Sequence, residues 1–209
     1  MWSARGSASR KTLQSSENLD TVPMTREISA GGVVLREIAG VWHVALIEPQ
    51  KEGLPPAKTL RKRRAILCLP KGLVDKGEKA EAAALREVFE ETGIVAEKVT
   101  KLVDLKYVYV RSWGNGERVF KIVSFYLMRY LSGEIDDVTP EMRVEVKRAL
   151  WVPLADASKQ MAYSGERKVV LQAQEHVKTH GLTSVGQSSN GLASKTEKEK
   201  VGPRGCRRA

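Results

Sequence analysis

Cysteine is scarce in this 209-residue chain: it has two, Cys68 and Cys206, far apart and in unlike surroundings. A disulfide framework is not supported, and Cys68, inside the apolar run AILCL, reads as a small buried hydrophobe. No apolar run approaches the roughly 18 to 20 residues that a membrane span needs. No continuous apolar stretch follows the N-terminus, so no secretory signal is visible and a cytoplasmic setting is the default expectation. Histidine is equally sparse, and His43, His176 and His180 are assigned no role. There is no internal repeat. What remains is an ordinary 42 % hydrophobic content, enough to build one buried core flanked by tails.

The net charge of +10 suggests a nucleic-acid partner until its placement is considered. Residues 1–20 carry +1, residues 50–64 carry +5 and residues 181–209 carry +4, which leaves the rest of the chain neutral. Basicity thus belongs to two tails and one loop, and nucleic acid is not the favoured partner.

Residues 1–24 are polar and Ser-rich with no sustained period, and read as a flexible leader. From about residue 25 to 180 the pattern is that of a folded domain, and 181–209 reads as a disordered basic tail. The segments EISAGGVVLREI and VWHVALIEP, joined at Ala39-Gly40, predict a hairpin. Residues 49–64, with three prolines and a basic cluster, predict a loop, and a short strand is expected from Ala65 to Leu69. After the loop KGLVDKG, the stretch EKAEAAALREVFEET predicts a helix with Ala83, Leu85, Val88 and Phe89 on its apolar side and Gly93 as its stop. Two long strands, from Val99 and from Arg118, are expected to meet at the turn signal Gly114-Asn115-Gly116. A short strand over 145–153 and helices over Leu154–Met161 and Gly165–Lys178 complete the pattern, with Val169, Val170, Ala173 and Val177 at core spacing. The expected fold class is α/β: a mixed central sheet in an α/β/α sandwich.

The chemistry is concentrated in the 78–92 helix. Glu87 and Glu91 are one turn apart and Glu90 lies three residues from Glu87, so three carboxylates crowd one side of the helix. They repel one another unless a cation lies among them, and hard oxygen donors suit Mg²⁺ or Mn²⁺. Arg86, at i,i+4 from Glu90, can orient it or offset its charge.

The order of parts is more specific than the acidity. Residues 72–94 read Gly72, Glu78 after five residues, Arg86-Glu87 after seven more, then Val88, Glu90-Glu91, Gly93 and Ile94. This matches every point of the Nudix box, and the chain over roughly 26–178 resembles the Nudix hydrolase family. The resemblance implies the family's α/β/α sandwich and attack of water on a phosphorus of a diphosphate, with Mg²⁺ or Mn²⁺ as cofactor. It implies that Glu90 and Glu91 are the main metal ligands, that Glu87 is a ligand or the general base, that the Gly72 carbonyl completes the set, and that Glu78 binds a metal or supports the helix and loop. LPKG before the box and the long hairpin after it resemble bacterial diadenosine polyphosphate hydrolases and their inositol-diphosphate relatives, although the aromatic residue that often opens that segment is missing. Glu145, six residues before Trp151, stands where such enzymes keep a further acid.

The expected substrate is therefore a nucleoside polyphosphate, with diadenosine polyphosphates favoured over nucleoside triphosphates, RNA 5′ ends or inositol diphosphates. A binding-only module is disfavoured because Glu87, Glu90 and Glu91 are all retained. Arg61, Arg63 and Arg64 in the basic loop, with Lys71 beside the first box glycine, are candidates for holding the extra phosphates. Tyr107, Tyr109, Trp113 and Tyr126 are read as core or as stacking surfaces for a base. The oligomeric state is left open between monomer and homodimer.

Overall fold

The computed structural model of the chain describes residues 24–50, 65–111 and 116–182. The expectations for the N-terminal leader, for Arg61, Arg63 and Arg64, for Trp113, for the Gly114-Asn115 turn and for the tail beyond Leu182 fall outside the described residues.

β1 (Met24–Ile38) and β2 (Val41–Pro49) form the hairpin expected at Ala39-Gly40. Ile38 pairs with Val41, and both loop residues take positive φ, 49° at Ala39 and 77° at Gly40. That is the signature of a type I′ turn, whose twist suits the flanking strands. Alanine is strained there, since the left-handed region costs an L residue roughly 1–2 kcal/mol. Ala39→Gly is therefore expected to raise the melting temperature by roughly 2–4 °C. A circular-dichroism melt that shows no rise would count against the strain.

Six strands make one sheet in the order β4-β5-β1-β2-β6, where β4 is Ile94–Val110, β5 is Arg118–Gly133 and β6 is Val146–Pro153; the short β3 (Lys71–Leu73) pairs with β1 off that path. β1 and β5 run parallel and the other pairs antiparallel, so the sheet is mixed as expected. Strand alternation sorts the core into two layers. Val33, Leu35, Val123, Phe125 and Leu127 pack with α3 (Ser164–His180) through Val169, Val170 and Ala173, joined by α2 (Leu154–Gln160) through Leu154 and Ala157. On the opposite face Ala30, Val34, Ala45 and Met128 pack with α1 (Ala80–Thr92) through Ala83, Ala84 and Val88. The α/β/α sandwich read from the sequence is the architecture found. α1 ends where Gly93 takes φ 76° and its amide donates to the Phe89 carbonyl at 2.8 Å, which turns the chain directly into β4.

Several local expectations are corrected. Residues 65–69 form isolated bridges, Cys68 to Ile47 and Leu67 to Met161, instead of a strand. The chain is crossing between strands there: Cys68 exchanges backbone hydrogen bonds with Ile47 of β2, Pro70 accepts one from Gly32 of β1 at 3.1 Å, and β3 pairs Lys71–Leu73 with Ser29–Gly31. LPKG is thus a wedge set where β1 and β2 part. β4 begins at Ile94, five residues before the strand pattern is readable, because register shifts at 95/96, 98/100 and 101/103 break its period of two. Phe89, expected in the core, is 53 % exposed.

Candidate active site

The exposure of Phe89 follows from what α1 buries instead. Two rows at i,i+4 spacing face the sheet, Ala83-Glu87-Glu91 and Ala84-Val88-Thr92. Two carboxylates of the box therefore point inward, Glu87 at 9 % exposure and Glu91 at 7 %, while Glu90 lies off these rows and is half-buried.

Glu91 meets the wedge. The Lys71 amide donates to its Oε2 at 2.6 Å. Burial pushes the Glu91 carboxyl up to about 8, against the pull of Lys71 and with repulsion from Glu87 and Glu145 added. Burial likewise raises Glu87, opposed by its hydrogen bond to Arg86 and assisted by Glu90 and Glu145. Glu145 closes a 3₁₀ turn (Met142–Val144) just ahead of β6, with its own side chain exposed. Its repulsion of both buried acids places it in the same electrostatic site. Cys68, just before the wedge, is 3 % exposed and its thiol is pushed up to about 12 by burial, in keeping with an inert core residue.

Arg86 ties the outer acids together. Its Nε and Nη2 donate to the two oxygens of Glu78 at 3.1 and 3.0 Å, and its Nη1 donates to Glu87 and to Glu90, each at 2.9 Å. Nη2 also holds the Leu73 carbonyl at 3.0 Å, which fixes the loop to the helix. Glu78 accepts from the Asp75 amide as well, at 3.1 Å, and the Arg86 fork holds its carboxyl below the usual range. This is why the helix starts at Ala80 and not at Glu78: the Glu78 side chain serves the turn before it.

Among the described residues no three His, Cys, Asp or Glu side chains are drawn together tightly enough to enclose an ion. Arg86 lies among these acids and donates to oxygens of Glu78, Glu87 and Glu90. The donor chemistry nevertheless fits a hard divalent cation: Glu87 and Glu91 are buried acids raised by burial and by repulsion from neighbouring carboxylates, a destabilised arrangement that a bound cation offsets. The backbone of Gly72 lies directly against Glu87. A Cβ built on Gly72 would fall 2.0 Å from Glu87 Oε2.

On the α3 side the wedge borders a cleft of about 630 Å³ whose wall includes Lys71, Lys106, Lys121, Tyr107, Tyr109 and Tyr163. Tyr107 and Tyr109 thus face a cavity, whereas Tyr126 is core at 7 % exposure. Behind the cleft, Glu27 accepts from Tyr109 Oη at 3.0 Å and pairs with Arg111 and, at 3.5 Å, with Lys121. Burial works to raise Glu27, but these partners outweigh it and leave its carboxyl below the ordinary 4.5. A depressed acid contributes stability that is present above its unfolded value and lost as pH falls through the folded one. Glu27→Gln is expected to cost roughly 1–3 kcal/mol at pH 7, with the gap to wild type closing as urea titrations are repeated below pH 4.5. A gap of equal size at pH 3 would refute this.

Of the residues singled out from the sequence, the structure brings Gly72, Glu78, Arg86, Glu87, Glu90, Glu91 and Glu145 into one neighbourhood, with Lys71 linking it to the cleft. Sequence reasoning missed Glu166, which is 4 % exposed at the start of α3 and pairs with Lys71 Nζ at 3.1 Å. It also missed that His176 and His180, one turn apart on α3, stack their rings at 4.8 Å. Among the described residues no helix is long and apolar enough to cross a membrane.

Comparison with known proteins agrees with this geometry. The sequence profile of the NUDIX domain matches residues 31–173. A Mycobacterium tuberculosis protein named MutT4 is 37 % identical over 175 residues, which cover 82 % of this chain; the chain spans 63 % of that protein's length. Among solved structures, a MutT NUDIX hydrolase from Burkholderia pseudomallei is 26 % identical with a TM-score of 0.50, over 71 % of this chain and 98 % of that one. A C. elegans Ap4A hydrolase, at 22 % identity, shares the fold with a TM-score of 0.53 over 73 % of this chain and 98 % of its own. The chain belongs to the NUDIX family.

Proposed function

We propose that this chain is a pyrophosphohydrolase that cleaves a diphosphate linkage in a nucleoside polyphosphate, with diadenosine polyphosphates the favoured substrate. The observation that carries this reading is the pair of buried carboxylates, Glu87 and Glu91, joined through Lys71 to a cleft walled by lysines and tyrosines. Tyrosine faces suit a nucleobase, and Lys71, Lys106 and Lys121 suit its phosphates. Arg61, Arg63 and Arg64 would add charge for the longer phosphate chains. Glu87, Glu90, Glu91 and the Gly72 carbonyl would hold Mg²⁺ or Mn²⁺, and of the two roles open to Glu78 the Arg86 fork supports that of bracing loop and helix. A bound divalent cation acidifies a water and offsets charge on the leaving phosphate. The protein's own share is to place these groups: Arg86 orients Glu87 and Glu90, and the Lys71 amide fixes Glu91. Glu87 and Glu145 are the two candidates for accepting the proton of the attacking water.

The test is turnover of diadenosine polyphosphates, nucleoside triphosphates, ADP-ribose, an inositol diphosphate and 5′-triphosphorylated RNA by the full chain with Mg²⁺ or Mn²⁺. The highest kcat/KM is expected on a diadenosine polyphosphate. A higher value on another substrate would move the substrate assignment, and no hydrolysis of any diphosphate would overturn the reaction.

A further inference from the structure

Glu166 is the one deeply buried acid of α3, and both of its oxygens are engaged. Oε2 accepts from the Leu69 amide at 2.8 Å, and Oε1 lies 3.1 Å from Lys71 Nζ. Lys71 Nζ also reaches back to the Leu69 carbonyl at 3.4 Å. The ammonium sits in a largely buried setting that disfavours its charge, yet the Glu166 carboxylate, with Cys68 and Glu91, more than restores it. The same corner of the molecule holds the chain just before the wedge, where the Ala162 amide donates to the Leu67 carbonyl at 3.0 Å.

The backbone amide of Lys71 is the group that donates to Glu91 at 2.6 Å, from the other side of the sheet. Side chain and backbone of one residue thus connect α3 to α1: Lys71 Nζ is held by Glu166, and Lys71 N holds Glu91. Fold stability alone does not call for an ion pair here, because replacing a buried pair by apolar groups of similar volume is often neutral or stabilising. What such a pair adds is a fixed geometry for the three residues it spans.

We propose that Glu166 is a positioning residue: from α3 it sets the 69–71 segment, and through the Lys71 amide it sets the orientation of the Glu91 carboxylate. Its effect on turnover rests on the reading that Glu91 serves the reaction. Its effect on the Lys71 amide does not.

Two variants of the full chain separate these. Glu166→Gln keeps an acceptor for the Leu69 amide and breaks the ion pair; Glu166→Leu removes both ties while filling the site. In the metal-free protein, hydrogen exchange at the Lys71 amide should rise about tenfold or more in Glu166→Gln and further in Glu166→Leu, with amides in the β4–β5 pair unchanged. With Mg²⁺ and substrate, kcat should fall roughly 10- to 100-fold, the usual penalty for losing a supporting partner; KM is free to change as well, because Lys71 lines the cleft. The loss should follow the exchange order and not the order of melting temperatures. Unchanged exchange at Lys71 in both variants would overturn the link. Faster exchange with kcat intact would overturn its role in the reaction. If the unaltered protein hydrolyses no diphosphate, the reaction reading falls and the exchange result alone decides the link.

Discussion

Glu91→Gln is expected to lower kcat by on the order of 10²- to 10³-fold, as removal of one preorganised charge-stabilising group does in other enzymes, with a folded protein of unreduced stability. The two halves of this expectation have separate grounds. Glutamine has the same reach and keeps an oxygen to accept from the Lys71 amide, so the 2.6 Å contact is retained. Glu91 is 7 % exposed, and taking a carboxylate out of so dry a place removes a desolvation cost instead of adding one. The fold therefore has nothing to lose. The chemistry does, because a neutral amide is a poorer partner for a hard divalent cation than a carboxylate, so the Mg²⁺ concentration for half-maximal rate should rise as well. Steady-state kinetics over a Mg²⁺ series, with a melt of the metal-free variant, checks both halves. Full Mg²⁺-dependent turnover in the variant would sink the assignment of Glu91. Loss of activity together with loss of folding would make it a structural residue.

Much of this site was legible because it is written contiguously. Gly72 to Ile94 spells the loop, the helix and its stop in one run, and the structure has α1 within that run, two residues shorter at its start than expected, with its stop at Gly93. The hairpin at Ala39-Gly40 and the core positions of α3 were legible for the same reason: each depends on neighbours within a turn of chain. The orientation of α1 was not. An amphipathic reading turns Phe89 inward, whereas the helix buries Glu87 and Glu91 and leaves Phe89 in solvent. Burying acids is unfavourable by itself, so apolar ranking cannot anticipate it; the Lys71 amide, contributed by β3, and the Arg86 fork of α1 itself make it tolerable. The LPKG wedge and Glu166 were hidden for a related reason. Their bonds join residues such as Leu69 and Glu166 that lie 97 positions apart, and an acid in the first turn of a helix reads as an ordinary response to the helix dipole.

Gly72→Ala is expected to cut kcat by about 100-fold while the melting temperature moves by no more than a few degrees. The added Cβ would lie 2.0 Å from Glu87 Oε2 and 2.1 Å from both Cδ and Oε1, well inside contact distance, so something must move. The three closest atoms all belong to the end of the Glu87 side chain, and none to backbone. Gly72 is not among the glycines with positive φ, so alanine meets no backbone strain in β3. Relief is therefore sideways movement of the Glu87 carboxylate, away from the bond that Arg86 makes to it at 2.9 Å. Arg86 also holds Glu78, Glu90 and the Leu73 carbonyl, so the displacement spreads through the acids of the box, and a misplacement of about 1 Å in an active site can cost 10²-fold. Stability has less at stake, because β3 keeps its pairing with β1 and the core faces are untouched. Kinetics and a thermal melt on one sample decide the matter. A collapse of the melting temperature would mean that the backbone of β3, and not Glu87, gives way, and unaltered kcat would mean that the position of the Glu87 carboxylate does not matter to the reaction.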